Sequence, residues 1–313
     1  MKLSGKDLLG IQDLSAEEIR YILDQAAIMK EILRQDVKKT PHLQGRTVVT
    51  LFYENSTRTR LSFELASKYM GANAANITAS GSSVQKGETL IDTARTLDAM
   101  GTDVIVVRHQ MSGAPHLIAK HVKAAVVNAG DGMNEHPTQA LLDLFTMREK
   151  KGHIEGLKVA IVGDVAHSRV ARSDLYALRK LGAEVRLAGP ATLMPRQIDA
   201  LGAVVCPSVE EAVGGADVVM CLRLQKERQQ SGLLPGMREY SKFFEVDAKR
   251  MALAAPDAIL MHPGPVNRGV ELATEVMNTK AAVVDEQVTN GVAVRMAVLN
   301  ILAKRGEHYG NFN

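Results

Sequence analysis

Only two cysteines, Cys206 and Cys221, occur in 313 residues, and they form no CxxC pair. That scarcity argues against a disulfide-stapled scaffold or a structural zinc site and fits a reducing cytosol. The nine histidines are scattered without an HExxH pair, so a metal is disfavoured and none is expected. No apolar run is long enough to span a membrane, and the opening MKLSGKDLLGIQDLSAEEI carries none. Its Ser15 and Glu18 have instead the spacing of a capping box. A cytoplasmic protein is expected. The net charge of +3 is small for the length and gives no chain-wide attraction to nucleic acid or to an anionic membrane. Internal repeats, low-complexity tracts, a GxGxxG turn and a Walker motif are all missing. No Ser-His-Asp order or carboxylate pair emerges, so hydrolysis by a nucleophile and ATP-dependent phosphoryl transfer are poorly supported.

What is present is ordinary globular composition, 46% hydrophobic and 23% charged, in a chain long enough for about two domains. Strand-like and helix-like patterns alternate almost throughout, which predicts an α/β fold of two doubly wound parallel-sheet domains. Strands are expected at Thr47 to Tyr53, Val104 to Val107, Ala124 to Val127, LKVAIVGD, EVRLAG, Asp217 to Leu222 and Asp257 to His262. A helix from about Pro137 to Met147 runs into EKKGHIEG, polar and glycine-bearing, which reads as the linker. The expected division is residues 1–150 and 151–291, with a helix over about 292–313 packing back on the first domain.

Open α/β sheets bind ligands beyond the carboxyl ends of their strands, so the polar residues that follow each apolar run are the candidates. They are ENSTRTR after the first run, Arg108 and His109 after VIVV, GDVAHSR after VAIV, Arg223 and Gln225 after VVMCL, and HPGPVNRG after AILM. The site they imply lies in a cleft between the domains and is directed at anions. In YENSTRTRLSFE the groups Ser56, Thr57, Arg58 and Thr59 sit where a helix begins. A single cap would explain Ser56 or Thr57, but four such side chains exceed a cap and suit a phosphate at a helix N-terminus.

Arg108 directly follows a buried-looking strand, and Thr102, Asp103 and His109 are its candidate structural partners if it is not a ligand residue. His136 precedes Pro137 and a helical apolar pattern; it either caps that helix or, with Gln139 three residues on, addresses a ligand at the helix mouth. GSSVQKGET reads as a mobile loop with Lys86 near its tip, either solvated or delivered to the anion on closure. Arg169 suits a carboxylate or phosphate, and Arg223, abutting a strand, is a better ligand group than Lys226 or Arg228 farther along. The two prolines and two glycines of HPGPVNRG fix an irregular backbone whose carbonyls could face a ligand.

Together FYENSTRTRLSFE, GETLIDT, VVRH, HPTQALLDLF, GDVAHSRVARS, LRLQKER and MHPGPVNRGVE resemble the aspartate/ornithine transcarbamoylases over nearly the whole chain. STRTR with HPTQ carries the family resemblance. LRLQKER and the SSVQKGET loop are similar to members that use aspartate, while the SMG motif and HCLP turn of ornithine members are missing. The resemblance implies transfer of the carbamoyl group of carbamoyl phosphate to L-aspartate, in pyrimidine biosynthesis and without a cofactor.

It further implies that Ser56, Thr57, Arg58 and Thr59 bind the phosphate. Arg108 would bridge phosphate and carbonyl oxygen, with Thr59 and His136 polarising the carbonyl. Gln139 and the backbone around Gly264 and Pro265 would hold the carbamoyl amino group. Arg169, Arg223 and Gln225, with Lys86, would grip aspartate. Ser82 and Lys86 would act in the neighbouring subunit's site, making a homotrimer with shared active sites. Further assembly with regulatory chains or a dihydroorotase-like chain stays open. Ornithine as acceptor is the nearest alternative. A nucleotide-dependent oxidoreductase is opposed by the missing glycine fingerprint, and a non-catalytic anion-binding module by the completeness of the motifs.

Overall fold

The computed structural model describes residues 3–78, 87–225, 233 and 236–304. The chain forms two compact units, Met1–Leu142 with Thr289–Asn313, and Asp143–Val288.

The first unit opens with α1 (Ala16–Leu33), capped by Ser15, whose hydroxyl accepts from the Glu18 amide while Glu18 reaches back to the Ser15 amide. The capping box is therefore formed. There follow β1 (Thr47–Phe52), α2 (Thr57–Tyr69), β2 (Asn73–Thr78), α3 (Leu90–Ala99), β3 (Val104–His109), α4 (Ala114–Ala119), β4 (Ala125–Asp131) and α5 (Pro137–Lys151). All strands pair in parallel in the order β2-β1-β3-β4. From Val48 onward every residue of β1 is buried, as expected for a parallel sheet covered on both faces. Val49, Leu51, Ile105, Val107 and Val126 pack with Ala94 and Leu97 of α3 and Ile118 of α4.

The second unit runs through β5 (Lys158–Val162), α6 (Arg169–Lys180), β6 (Glu184–Ala188), β7 (Val204–Val205), α7 (Val209–Val213), β8 (Val218–Cys221), α8 (Met237–Phe244), α9 (Ala248–Met251) and β9 (Ile259–Met261) into α10 (Val284–Ala303). Its sheet is also parallel, in the order β7-β6-β5-β8-β9. Ala160, Val162, Val219, Cys221 and Leu260 share a core with Val209, Ala212 and Val213 of α7.

Both sheets thus reverse their winding once, between β1 and β3 and between β5 and β8. At such a reversal the connecting segments diverge to opposite faces, leaving a crevice beyond the carboxyl ends of the two strands. The segments at these ends are Glu54–Arg60 beside Arg108 in one sheet and Gly163–Arg169 beside Leu222–Gln225 in the other.

The sequence reading needs adjusting in three places. EKK, read as linker, is the last turn of α5, whose Lys150 and Lys151 pair with Glu286 and Asp257; the break comes at Gly152, with φ +80°. Strand β2 carries no apolar run and β7 is only two valines long; neither is anticipated from the sequence. The final helix begins at Val284, before the apolar stretch that signalled it.

One buried group is poorly served. Asp174 of α6 is almost wholly buried, and among the described residues neither of its carboxyl oxygens has a hydrogen-bond partner. Burial first, and the nearby Asp143 second, push its pKa well above 3.8. A raised folded pKa disfavours the carboxylate, so stability is fully present below pH 3.8 and is lost as pH rises towards the folded value. Asp174→Asn removes that loss. Its melting temperature at pH 8 should exceed the parent's by the equivalent of on the order of 1 kcal/mol, with the gap closing as pH falls towards 4. Thermal melts across that range check it, and parallel curves for parent and variant would refute it.

No described helix is long and apolar enough to cross a membrane, and no described cluster of three His, Cys, Asp or Glu could hold a metal ion.

Candidate active site

In the first unit the helix start at Ser56 is formed as the sequence suggests. Ser56 is the N-cap of α2 and its hydroxyl accepts from the Thr59 amide at 3.3 Å. No acidic side chain lies in the first turn to compete for its positive end. Thr59 is buried, Ser56 partly so, and Thr57 and Arg58 are exposed. Arg60 is also exposed, and its charge helps to hold the Glu64 carboxyl below its ordinary range, after the larger effect of the Lys68 hydrogen bond.

Arg108 is the penultimate residue of β3, level with Phe52 of β1. Its Nη2 donates to Glu54 Oε1 at 2.6 Å and its Nη1 to the Ala129 carbonyl at 3.3 Å. The candidate partners from the sequence are engaged elsewhere: Thr102 donates to the Leu97 carbonyl, Asp103 accepts from Arg46 and the Thr47 amide, and the His109 ring accepts from the Met111 amide. Glu54 was missed, although it belongs to the same ENSTRTR turn. The Glu54 carboxylate orients the guanidinium, and an incoming phosphate would compete with it. His109 tilts against Tyr53 with ring centroids 5.1 Å apart. Burial holds its pKa below the ordinary value despite Asp131 and Glu54 nearby.

His136 and Gln139 are both buried and lie at the start of α5, where the His136 carbonyl accepts from the Gln139 and Ala140 amides. A buried polar network stabilises the loop before them. Asp131 accepts from the Gly113 amide, the Asn128 and Asn134 side chains and the Glu135 amide. Asn128 donates to the Leu9 and Glu135 carbonyls. These residues read only as polar ends of a strand until the chain is folded.

In the second unit, Ser168 caps α6 by accepting from the Ala171 amide at 3.1 Å, which fixes buried Arg169 as the first helical residue. Asp164, fully buried, accepts at Oδ1 from His167 Nδ1 at 2.8 Å and at Oδ2 from the Gln225 amide at 3.4 Å. The two strand-end loops are thereby joined. Glu271 joins the third: Oε1 accepts from the Leu224 amide at 2.9 Å and from Asn267 Nδ2 at 2.6 Å, and Oε2 from the Asn267 amide at 2.7 Å.

Burial alone would raise the Glu271 pKa, but the His262 imidazole 3.8 Å away and hydrogen bonds from the Leu224 and Asn267 amides and the Asn267 side chain overcome it and hold the carboxyl below the ordinary range. Leu224 lies between Arg223 and Gln225, so this carboxylate fixes the backbone that presents them. The Gly264 amide donates to His262 Nδ1 at 2.8 Å, Gly264 has φ +66°, and the Gly264–Pro265 peptide is cis.

Each unit therefore gathers one half of the candidate set: Ser56, Thr57, Arg58, Thr59, Arg108, His136 and Gln139 in the first, and Arg169, Arg223, Gln225, Gly264 and Pro265 in the second. Ser82, Lys86, Lys226 and Arg228 lie outside the described residues. Sequence reasoning missed Glu54, Asp131, Asp164 and Glu271, acidic residues whose roles depend on what they face.

Two family models match the chain: the carbamoyl-P binding domain of aspartate/ornithine carbamoyltransferase over residues 6–149, and its Asp/Orn binding domain over 155–302. The aspartate carbamoyltransferase catalytic subunit of Ruminiclostridium cellulolyticum is 66% identical over 98% of this chain and 98% of its own. That of Acetivibrio thermocellus is 65% identical over 97% and 98%. Among solved structures, aspartate transcarbamoylase from Trypanosoma cruzi in complex with carbamoyl phosphate and aspartate superposes with a TM-score of 0.87 at 33% identity, covering 95% of this chain and 97% of that one. Ornithine carbamoyltransferase from Thermus thermophilus gives 0.85 at 28%, covering 95% and 99%.

Proposed function

The chain belongs to the aspartate/ornithine carbamoyltransferase family, and from that premise we propose how its own residues perform the reaction. The reaction is transfer of the carbamoyl group of carbamoyl phosphate to the amino group of L-aspartate, giving N-carbamoyl-L-aspartate and phosphate. The observation that carries aspartate over ornithine is the 66% identity, over 98% of both chains, to a catalytic subunit named for aspartate. Backbone similarity alone does not separate the two acceptors, since structures of both kinds superpose almost equally well.

In this proposal the phosphate of carbamoyl phosphate docks on the start of α2, held by Ser56, Thr57, Arg58 and Thr59, where unpartnered amides and the macrodipole favour an anion. Arg108 turns from Glu54 to the phosphate and the carbamoyl oxygen. Thr59, Arg108 and His136 then supply preorganised donors to the oxyanion that forms when the aspartate amine attacks the carbamoyl carbon. Gln139 and the backbone at Gly264 and Pro265 hold the carbamoyl amino group. Arg169, Arg223 and Gln225 bind the two carboxylates of aspartate. As the carbon–oxygen bond breaks, the leaving phosphate takes up the proton lost by the amine. Carbamoyl phosphate is already activated, so no covalent intermediate is needed and the rate comes from positioning and charge.

The proposal extends to a homotrimer in which Ser82 and Lys86 serve the adjacent subunit's site, to a role in pyrimidine synthesis and to the cytoplasm. Two buried free cysteines, Cys206 and Cys221, suit that compartment. The test is the initial rate of product formation from carbamoyl phosphate with aspartate and with ornithine, alongside the native mass. Carbamoyl aspartate should form at a rate far above carbamoyl ornithine, from a particle of three chains. A preference for ornithine would overturn the acceptor, and an active monomer would overturn the shared site.

A further inference from the structure

We infer that Glu135 is a positioning residue that uses the chain's N-terminal arm as a brace for His136. The inference rests on the role proposed for His136.

Residues 6–9 lie along the outer strand β4 of the first sheet. The Leu8 amide donates to the Val126 carbonyl at 2.9 Å, the Asn128 amide to the Leu8 carbonyl at 2.8 Å, and the Val126 amide to Asp7 Oδ1 at 2.8 Å. Lys6 Nζ donates to the Ala124 carbonyl at 3.1 Å. The arm thus extends the sheet by a short parallel segment, and Leu8, Ile11 and Leu14 bury their side chains. Just beyond, the Ile11 amide donates to Glu135 Oε2 at 2.8 Å and the Gln12 amide to Glu135 Oε1 at 3.2 Å. The carboxylate of Glu135, 3% exposed, therefore grips two consecutive amides more than 120 residues away in sequence.

Glu135 is held at its backbone as well. Its amide donates to Asp131 Oδ1 at 3.1 Å, and its carbonyl accepts from the Asp131 amide at 3.2 Å. With side chain, amide and carbonyl all fixed, the next residue leaves Glu135 in one direction, and that residue is His136. Charge-assisted bonds of this kind in a buried setting are stronger and more directional than neutral ones. The histidine must meet a developing oxyanion within a narrow range of angle, so its frame matters as well as its presence.

Gly10 supplies an independent handle. A Cβ built there would overlap Glu135 Oε1. Gly10 is not among the residues with left-handed backbone, so an alanine strains nothing locally and acts by pushing the carboxylate off its two amides.

The test compares Glu135→Ala, Glu135→Gln, Gly10→Ala and, as reference, His136→Ala, each measured for kcat and both KM values and for melting temperature, with hydrogen exchange at the Ile11 and Gln12 amides. Glu135→Ala and Gly10→Ala should lower kcat by about 10-fold to 100-fold, since misplacement of about 1 Å carries a cost of that order. The KM for aspartate should stay within a factor of about three, because that substrate's proposed ligands are elsewhere. Exchange at both amides should accelerate. Glu135→Gln, which keeps one acceptor oxygen, should recover part of the loss. If His136→Ala lowers kcat while the Glu135 and Gly10 variants keep parental kcat per folded enzyme, the brace is refuted and the His136 role stands. If His136→Ala leaves kcat unchanged, both fall. Should Glu135→Ala fail to fold, Gly10→Ala and Glu135→Gln decide the matter alone.

Discussion

Arg108→Ala should reduce kcat by on the order of 100-fold or more, as expected for the loss of a preorganised oxyanion donor. The Arg108–Glu54 pair is largely buried, at 11% and 20% exposure for the two side chains, so removing the arginine also leaves Glu54 without that partner and lowers stability. The loss of turnover is therefore read per folded enzyme, below the variant's own melting temperature. Arg108→Lys should recover little, because an ammonium cannot span phosphate and carbonyl oxygens as a planar guanidinium can. Steady-state kinetics with circular dichroism on the same samples checks both variants. Near-parental turnover in Arg108→Ala would remove the arginine from the proposed chemistry, leaving only its ion pair.

Mixing two inactive chains should create activity. Arg58→Ala disables the proposed phosphate cradle of its own chain, and Lys86→Ala removes the lysine proposed to act in the neighbouring site. In the proposed closed threefold ring any mixed trimer juxtaposes one intact cradle and one intact lysine at a single interface, so about one site in three should work. The gain is from near zero to a measurable fraction of parental activity, and it must depend on subunit exchange. Native mass spectrometry of the mixture identifies the hybrids. Confirmed hybrids without activity would mean that Lys86 serves its own chain or none.

The strands with continuous β-branched or apolar runs could be read in the sequence because a parallel sheet buried on both faces demands such runs. β2, NAANIT, could not: it is an outer strand, and none of its six residues is fully buried or falls in an apolar period. The polar residues after each strand were legible as site candidates through a topological rule that needs no register. Their partners were not. Glu54 reaches Arg108 because β1 and β3 are neighbours with Phe52 level with Arg108, a register no local pattern encodes. Glu271 and Asp164 look like ordinary surface acids in the sequence, yet one receives three hydrogen bonds from two loops and the other ties His167 to Gln225. Polarity near a strand end signals a site, whereas the identity of what holds the site emerges only from folding.

The division of the chain has a consequence for how it is made. The unit that begins at residue 1 also takes in residues from Thr289 onward, and the whole of the other unit is threaded between them. Arg295, in that last helix, is buried, donates to Ser62 of α2 at 2.9 Å and lies over the Phe63 ring. At about 5–20 residues per second, a ribosome finishes the intervening stretch many seconds after the first sheet has emerged. The helix that carries the proposed phosphate cradle must therefore wait, with Ser62 and Phe63 lacking that cover, until the segment bearing Arg295 has been made.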